Sequence, residues 1–280
     1  MSTQHFAVIG HPIGHTMSPF IHKRLFELAG ADAYYTKTDV APENLGEDFK
    51  NTLSKLDGFN VTIPHKQNII KYLDAIDPKA EMYGSVNTVA IKDGKATGYT
   101  TDPDGFLKAL DMAGIELSGR IMILGCGGVA RTMAYEIAKK GLEFEFAVRL
   151  EDVGKAGLLC LEITKKIPDA KVSFGLMNQI IGTVDVLINA TPVGMYPNVG
   201  EQPIHNCAVG RCASVFDAVY NPLETALVKR AKANGSKAAG GMSMLVWQAA
   251  VAQEIWHGGT FKNEDIEQLC ADASAELLSK

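Results

Sequence analysis

Residues 120–131 read RIMILGCGGVAR, and the reading of this stretch decides the fold. Arg120–Leu124 is a short apolar run that ends at Gly125-Cys126-Gly127-Gly128, the pattern of a buried strand closed by a turn. A helical pattern follows to about Lys140 and stops at Gly141. Strand, glycine turn and helix form the setting in which G-x-G-x-x-A has physical meaning. Gly125 permits the tight turn, and Gly127 lets the backbone approach a pyrophosphate. Ala130 is small enough for close helix–sheet packing. The unpaired N–H groups and positive dipole end of the helix then face an anion. The motif predicts a dinucleotide-binding turn.

Working outward, strands and helices alternate on both sides of this turn, which argues for an α/β fold with parallel pairing. On the N-terminal side, His5–Gly10, Ala33–Asp39 and Gly58–Thr62 read as strands. Ser18-Pro19 reads as a cap and first turn opening a helix to about Ala29, and Pro42–Lys55 as a second helix. Ser85–Ile91 and Lys95–Thr100 flank Lys92-Asp93-Gly94, a hairpin signal. Leu107–Ala113 is helical and ends at Gly114.

On the C-terminal side the pattern predicts strands at Glu143–Val148, Val184–Asn189, Ser214–Ala218 and Lys237–Ala239, with a helix over Leu223–Ala233. Two helices close the chain, Ser243–Trp256 and Asn263–Leu278, the latter with Asn263 as cap. A domain break is expected near residues 102–106, with a second crossing at Gly240-Gly241.

The bulk properties narrow the classes. The 280 residues are 46% hydrophobic and 21% charged, an ordinary globular balance. The net charge of −5 comes without a basic cluster, which argues against a nucleic-acid partner. Apolar runs fall short of the ~20 residues that span a bilayer, and the N-terminus lacks the pattern of a signal peptide. Five cysteines without CxxC spacing fit a reducing cytoplasm rather than a disulfide or zinc framework, and the histidines show no metal-ligand spacing. Cys126 reads as inert packing, and Trp247 and Trp256 as packing residues.

Beyond the next strand, Val148-Arg149-Leu150-Glu151-Asp152 carries both kinds of selector. Arg149 argues for NADP through a 2′-phosphate; Glu151 or Asp152 argues for NAD through the ribose hydroxyl. The residues leave this choice open.

A series of further motifs resembles the shikimate dehydrogenase family, which includes shikimate/quinate enzymes. His11-Pro12-Ile13-Gly14-His15-Thr16-Met17-Ser18-Pro19 is similar to its PI-x-HS-x-SP opening loop, and Asn60–Lys66 to NVT-x-P-x-K. Ser85–Thr88 carries VNT, Asp102 and Gly105 fit TD-x-x-G, and Gly125–Arg131 fits GxGG-x-x-R. Asn189–Met195 fits NA[ST]-x-x-GM. Asp217, Tyr220, Pro222 and Thr225 fit D-x-x-Y-x-P-x-x-T, and Met244–Gln248 fits MLV-x-Q. The motifs occur in family order from residue 11 to residue 248.

The resemblance implies an N-terminal α/β substrate domain, residues 1–104 joined by helices from 241–280. A Rossmann-type doubly wound dinucleotide-binding domain would occupy 105–240. It implies Lys66 and Asp102 as the catalytic pair, with Thr16, Ser18, Thr62, Asn87, Tyr220 and Gln248 on substrate. The cofactor, NADP or NAD, would be held by Gly125, Gly127, Gly128, Val129, Arg149, Glu151, Thr191, Met195 and Gly241, with no metal. The residue types suit a polyhydroxy cyclic acid: hydroxyls for its carboxylate, amides for its ring hydroxyls. Lys66 could stabilise charge on a carbonyl oxygen or supply a proton, and the residues leave both roles open.

The implied activity is reversible NAD(P)H-dependent reduction of 3-dehydroshikimate to shikimate, in a monomer or homodimer, with hydride passing in a cleft between the domains. Three departures bear on it. Thr16 stands where the family has Ser, Thr100-Thr101-Asp102-Pro103 replaces N-T-D-G, and Val148-Arg149-Leu150 replaces N-R-T without a second Arg. They leave an NAD-dependent enzyme that also accepts quinate as the nearest alternative, and a non-catalytic metabolite sensor as a distant one.

Overall fold

The structure is a computed structural model that describes residues 3–14 and 16–279. His15, which the sequence suggests for loop packing or hydrogen bonding, lies outside the described residues.

The chain begins β1 (Gln4–Gly10), α1 (Ser18–Ala29), β2 (Ala33–Asp39), α2 (Leu45–Asn51) and β3 (Gly58–Val61). It continues through β4 (Ala75–Ile76), α3 (Pro78–Tyr83), β5 (Thr88–Lys92), β6 (Lys95–Tyr99) and α4 (Asp102–Met112). The second series is β7 (Ile121–Leu124), α5 (Gly128–Lys139), β8 (Phe144–Val148), α6 (Val153–Lys166), β9 (Val172–Leu176) and β10 (Val184–Asn189). Then come α7 (Asn206–Val209), β11 (Cys212–Asp217), α8 (Ala226–Ala233), β12 (Lys237–Ala239), α9 (Met242–His257) and α10 (Asn263–Leu278).

Two compact units result: Met1–Gly105 with Val246–Lys280, and Phe106–Leu245. The first holds a mixed sheet of order β2-β1-β3-β5-β6-β4, in which β5 pairs antiparallel with both β3 and β6. Ile9, Phe59, Leu45 and Val89 form its main core, and Phe6, Phe26 and Trp256 a second one. The Trp256 indole N–H donates to Val89 O at 3.0 Å, and a Cβ on Gly58 would lie 2.5 Å from that indole nitrogen. Glycine at 58 is therefore what lets α9 lie close to this sheet. The second unit holds a fully parallel sheet of order β12-β11-β10-β7-β8-β9. That order reverses beside β7, so the turn after β7 is the switch point at which parallel sheets bind ligands. Burial of all four β7 residues agrees with its unbroken apolar sequence.

Several expectations need correction. Ser18 is the first helical residue of α1, and Met17 occupies the cap position without a side-chain cap bond. The Thr16 hydroxyl instead accepts the Ser18 N–H at 3.2 Å. The helix expected over Pro42–Lys55 is broken into 3-10 turns at Pro42–Asn44 and Leu53–Lys55 around α2. Helix α4 starts at Asp102, earlier than Leu107, so Asp102 sits at a helix N-terminus. Helix α8 starts only at Ala226, because Thr225 caps it by accepting the Val228 N–H at 3.2 Å. Asn263 is inside α10, and Lys262 holds the cap position. The elements β4, α3, α6, β9 and α7 go beyond those expected from the pattern.

Candidate active site

In the first unit, Lys66 follows the end of β3, and Val86 N–H holds its carbonyl at 2.8 Å. Its ammonium donates to Asp102 Oδ2 at 2.5 Å, with the lysine side chain 17% and the aspartate side chain 5% exposed. The other oxygen, Oδ1, accepts the Asn87 amide at 2.8 Å. The same Asn87 Nδ2 lies 3.0 Å from Gln248 Oε1 and 3.0 Å from Thr101 Oγ1. Asn87 Oδ1 accepts the Thr101 backbone N–H at 2.8 Å and the Thr88 hydroxyl at 3.1 Å. With its oxygen held this way, the Asn87 amide can only point its hydrogens at Asp102 and Gln248. The structure thus joins Lys66, Asp102, Asn87 and Gln248 in one network.

Thr16 and Ser18 form a separate hydroxyl pair, Thr16 donating to Ser18 Oγ at 3.1 Å. Ser18 also bonds the Tyr35 phenol. Tyr35 in turn donates to Asn60 Oδ1 at 2.6 Å, and Asn60 Nδ2 donates to Asn87 O at 3.2 Å and to Thr88 Oγ1 at 3.0 Å. Tyr35, Asn60 and Thr101 therefore link the hydroxyl pair to the amide network, and sequence reading assigned none of them. Asn60 and Thr101 had a signal, since each lies inside a motif; Tyr35 had none. Thr62 is half-buried at the end of β3, and a Cβ on Gly10 would lie 2.5 Å from its methyl group. Tyr220 falls in the second unit, on the loop after β11, where burial raises its phenol pKa.

The Lys37 ammonium donates to Gly14 O at 3.0 Å, and Asp39 accepts His11 Nδ1 at 2.5 Å and the Ile13 N–H at 3.2 Å. These contacts tie the loop that carries Thr16 to β2. His22 is buried, stacked on Tyr35 at 4.1 Å, and bonded to Gln253 at 2.9 Å. Burial drives its pKa down to about 3, against a smaller opposing effect of Asn60, so it stays neutral. His65 is also buried, with Nε2 at 2.6 Å from Val40 O.

In the second unit, Gly125 has φ +88° and donates its N–H to Ala147 O at 2.9 Å. A Cβ at Gly125 would lie 2.8 Å from the Thr191 methyl group. A Cβ on Gly127 or Gly128 would meet nothing within 4 Å, so an open space lies over the start of α5. Gly127 is the cap and offers no side chain, Val129 is half-buried, and Ala130 is fully buried against the sheet. Open glycine backbone at a helix N-terminus is what a pyrophosphate requires, and these residues fit such a group.

Thr191 donates to Asn189 Oδ1 at 2.7 Å, and its oxygen accepts the Val193 N–H at 3.3 Å. Met195 is exposed beyond Gly194, whose φ is +89°. A Cβ on Gly241 would lie 2.2 Å from Ala218 O, so only glycine passes there. At the end of β8, Arg149 grips Asp152 Oδ2 through Nε (3.0 Å) and Nη2 (2.8 Å), and its Nη1 lies 3.2 Å from Glu151. Lys155 takes the other Asp152 oxygen at 3.0 Å. These two cations hold the Asp152 carboxyl below the usual range. A cavity of about 410 Å³ adjoins this cluster, lined by Arg149, Leu150, Met177, Asn178, Gln202 and His205 among others. Its walls from β9 and from residues 202–205 were not foreseen.

Arg131 pairs with Glu162 and lies over the Tyr135 ring at 5.8 Å. Burial raises the Cys126 thiol pKa, consistent with an inert thiol. Among the described residues no group of three His, Cys, Asp or Glu side chains converges as metal ligands, and no helix is long and apolar enough to cross a membrane.

A desolvated ammonium–carboxylate pair in one unit and a glycine-turn nucleotide fold in the other define a dinucleotide-dependent oxidoreductase. Residues 8–89 match the shikimate dehydrogenase substrate binding domain. The chain is 43% identical over 263 residues to the shikimate dehydrogenase (NADP+) of Methanocaldococcus jannaschii, covering 91% of this chain and 92% of that protein. A crystal structure of a shikimate dehydrogenase in complex with NADP+ superposes with a TM-score of 0.85 at 39% identity, covering 96% of this chain and 95% of that one. The shikimate 5-dehydrogenase from Listeria monocytogenes, in complex with shikimate and NAD, gives 0.82 at 31% identity, covering 95% and 96%. The chain belongs to the shikimate dehydrogenase family.

Proposed function

We propose that the protein is a shikimate dehydrogenase, catalysing the reversible reduction of 3-dehydroshikimate to shikimate with NADPH or NADH. The observation that carries this reading is the Lys66–Asp102 pair at 2.5 Å, set by Asn87 into one network with Gln248. The first unit is the substrate domain and the second, through the glycine turn, the dinucleotide domain.

A nicotinamide dinucleotide would supply the hydride when bound, and Gly125, Gly127, Gly128, Val129, Thr191, Met195 and Gly241 would hold it. The rest is work of the chain's own groups. The Lys66 ammonium faces the oxygen on which negative charge develops and lowers its energy, then leaves a proton there. Asp102 pairs with that ammonium and points it, and Asn87 keeps Asp102 in place. Gln248 commits Oε1 to Asn87 and keeps Nε2 as donor to a ring hydroxyl. Thr16 and Ser18 serve the substrate's carboxylate end, and Thr62 and Tyr220 are further substrate-binding residues.

A second reading has one observation in its favour. Arg149 is already engaged by Asp152 and Glu151, which weakens its attraction for a 2′-phosphate and favours NAD use, with quinate as an added substrate. Initial rates with shikimate and quinate, each with NADP+ and NAD+, test both readings. Shikimate turnover supports the main one; turnover of quinate with NAD+ dominant supports the second; no turnover in any combination overturns both. We place the enzyme in the cytoplasm, on its five free cysteines, without nucleic-acid partners, and as a monomer or homodimer.

A further inference from the structure

Asp217, the last residue of β11, is fully buried and takes no part in the chemistry above. Its partners are a hydroxyl, an amide and a backbone N–H. Oδ2 accepts the Thr225 hydroxyl at 2.7 Å. Oδ1 accepts the Asn189 amide at 2.9 Å and the Val219 N–H at 3.0 Å. Burial pushes this carboxyl up to about 6, with the three hydrogen bonds pulling the other way. A carboxylate is costly to bury, and here it is held by three donors that would each lose their acceptor without it.

What Asp217 does is fix an orientation. Asn189 and Asp217 are register partners at the C-terminal ends of β10 and β11. An asparagine amide can sit either way round, and the donors and acceptors beside it decide which; for Asn189 the buried acceptor is Asp217. With Nδ2 turned to Asp217, Asn189 Oδ1 must face the next loop, where it accepts the Thr191 N–H at 3.1 Å and the Thr191 hydroxyl at 2.7 Å. Thr191 packs its methyl group where a Gly125 Cβ would be. The Val219 bond also steers the loop whose carbonyl at Ala218 presses on Gly241, and Gly241 N–H donates to Val219 O at 2.9 Å.

We propose that Asp217 is the positioning residue of the dinucleotide domain. It sets the Asn189 amide and through it holds Thr191 against the glycine turn, and through the Val219 N–H it steadies the loop that packs on Gly241. The inference rests on the dinucleotide reading of that turn.

The experiment measures Kd for NADP+, NAD+ and shikimate, well below each variant's melting temperature. Asp217→Leu removes every contact, and the tighter dinucleotide should bind at least tenfold more weakly while shikimate Kd stays within twofold. Asp217→Asn keeps Oδ1 for Asn189 and Val219 and should bind the dinucleotide within threefold of wild type. Thr225→Val loses the helix cap and melts lower, yet keeps the dinucleotide Kd. If Asp217→Leu does not fold, Asn189→Ala breaks the same chain one step nearer the turn and carries the same expectation. An unchanged dinucleotide Kd in the folded broken-chain variant overturns the proposal. So does Asp217→Asn as weak as Asp217→Leu, which would make charge rather than orientation the cause. A wild type that binds neither dinucleotide overturns the cofactor reading, and this proposal with it.

Discussion

Lys66 and Asp102, 36 residues apart, meet at 2.5 Å, and the same carboxylate accepts the Asn87 amide on its other oxygen. The pair is a unit: the lysine has one acid partner, and the acid is oriented by a neutral amide. Lys66→Ala should lower kcat by about 10²- to 10⁴-fold, the range for a positioned proton-transfer group. Asp102→Asn should fall in the same range, and the double variant should be little worse than the worse single one. Steady-state kinetics on all three check this. A double variant slowed by the product of the two effects would show the residues acting independently.

Asp152 sits between two cations, Arg149 and Lys155. Asp152→Asn should release Lys155 and leave Arg149 held only by Glu151, raising the ratio of NADP+ to NAD+ affinity by about three- to tenfold. Exposed ion pairs contribute only ~0–1 kcal/mol, so a larger change is not expected. Arg149→Ala should move the ratio the other way. Titrations at low and high salt measure both, and the difference should shrink with salt.

His22 has a folded pKa of about 3, below its ordinary 6.5. The unfolded chain therefore takes up a proton that the folded one refuses as the pH falls below 6.5. Stability from this group is present above 6.5 and is lost towards pH 3, by up to ~1.4 kcal/mol per pH unit. His22→Phe keeps a ring beside Tyr35 but leaves Gln253 without its partner, so it should be less stable at pH 7.5. Its stability should fall less steeply on acidification, and the two curves should converge. Parallel curves from denaturant titrations across that range would show that His22 does not titrate this way.

Gly125→Ala meets two obstacles: a backbone at φ +88° and a Thr191 methyl 2.8 Å from the new Cβ. The expected cost is about 1–3 kcal/mol of stability, with dinucleotide affinity reduced and shikimate affinity unchanged. Thermal melts and binding titrations read the two effects separately.

Much of this was legible in the sequence wherever the signal is local. The run from Arg120 to Gly128 declares a buried strand and a glycine turn within nine residues, because burial on both faces demands continuous apolar side chains. Lys66 and Asp102 were readable through the motifs around them. Short or broken elements were not: α2 is interrupted on both sides, and β4 and α3 are too brief for any periodicity to show. Ser18 looked like a helix cap because its type favours that position, but the Thr16 hydroxyl occupies the role in space.

By itself, then, the sequence determined the α/β alternation and the glycine turn, and its motifs pointed to Lys66 and Asp102 as the candidate reacting groups, since each signal depends on residues a few positions apart. Tertiary structure alone decided the orientations. Asn87 reaches Gln248 across 161 residues, and Asp217 reaches Asn189 across 28. An amide's direction is set by what the fold brings within about 3 Å, and no local pattern encodes that distance.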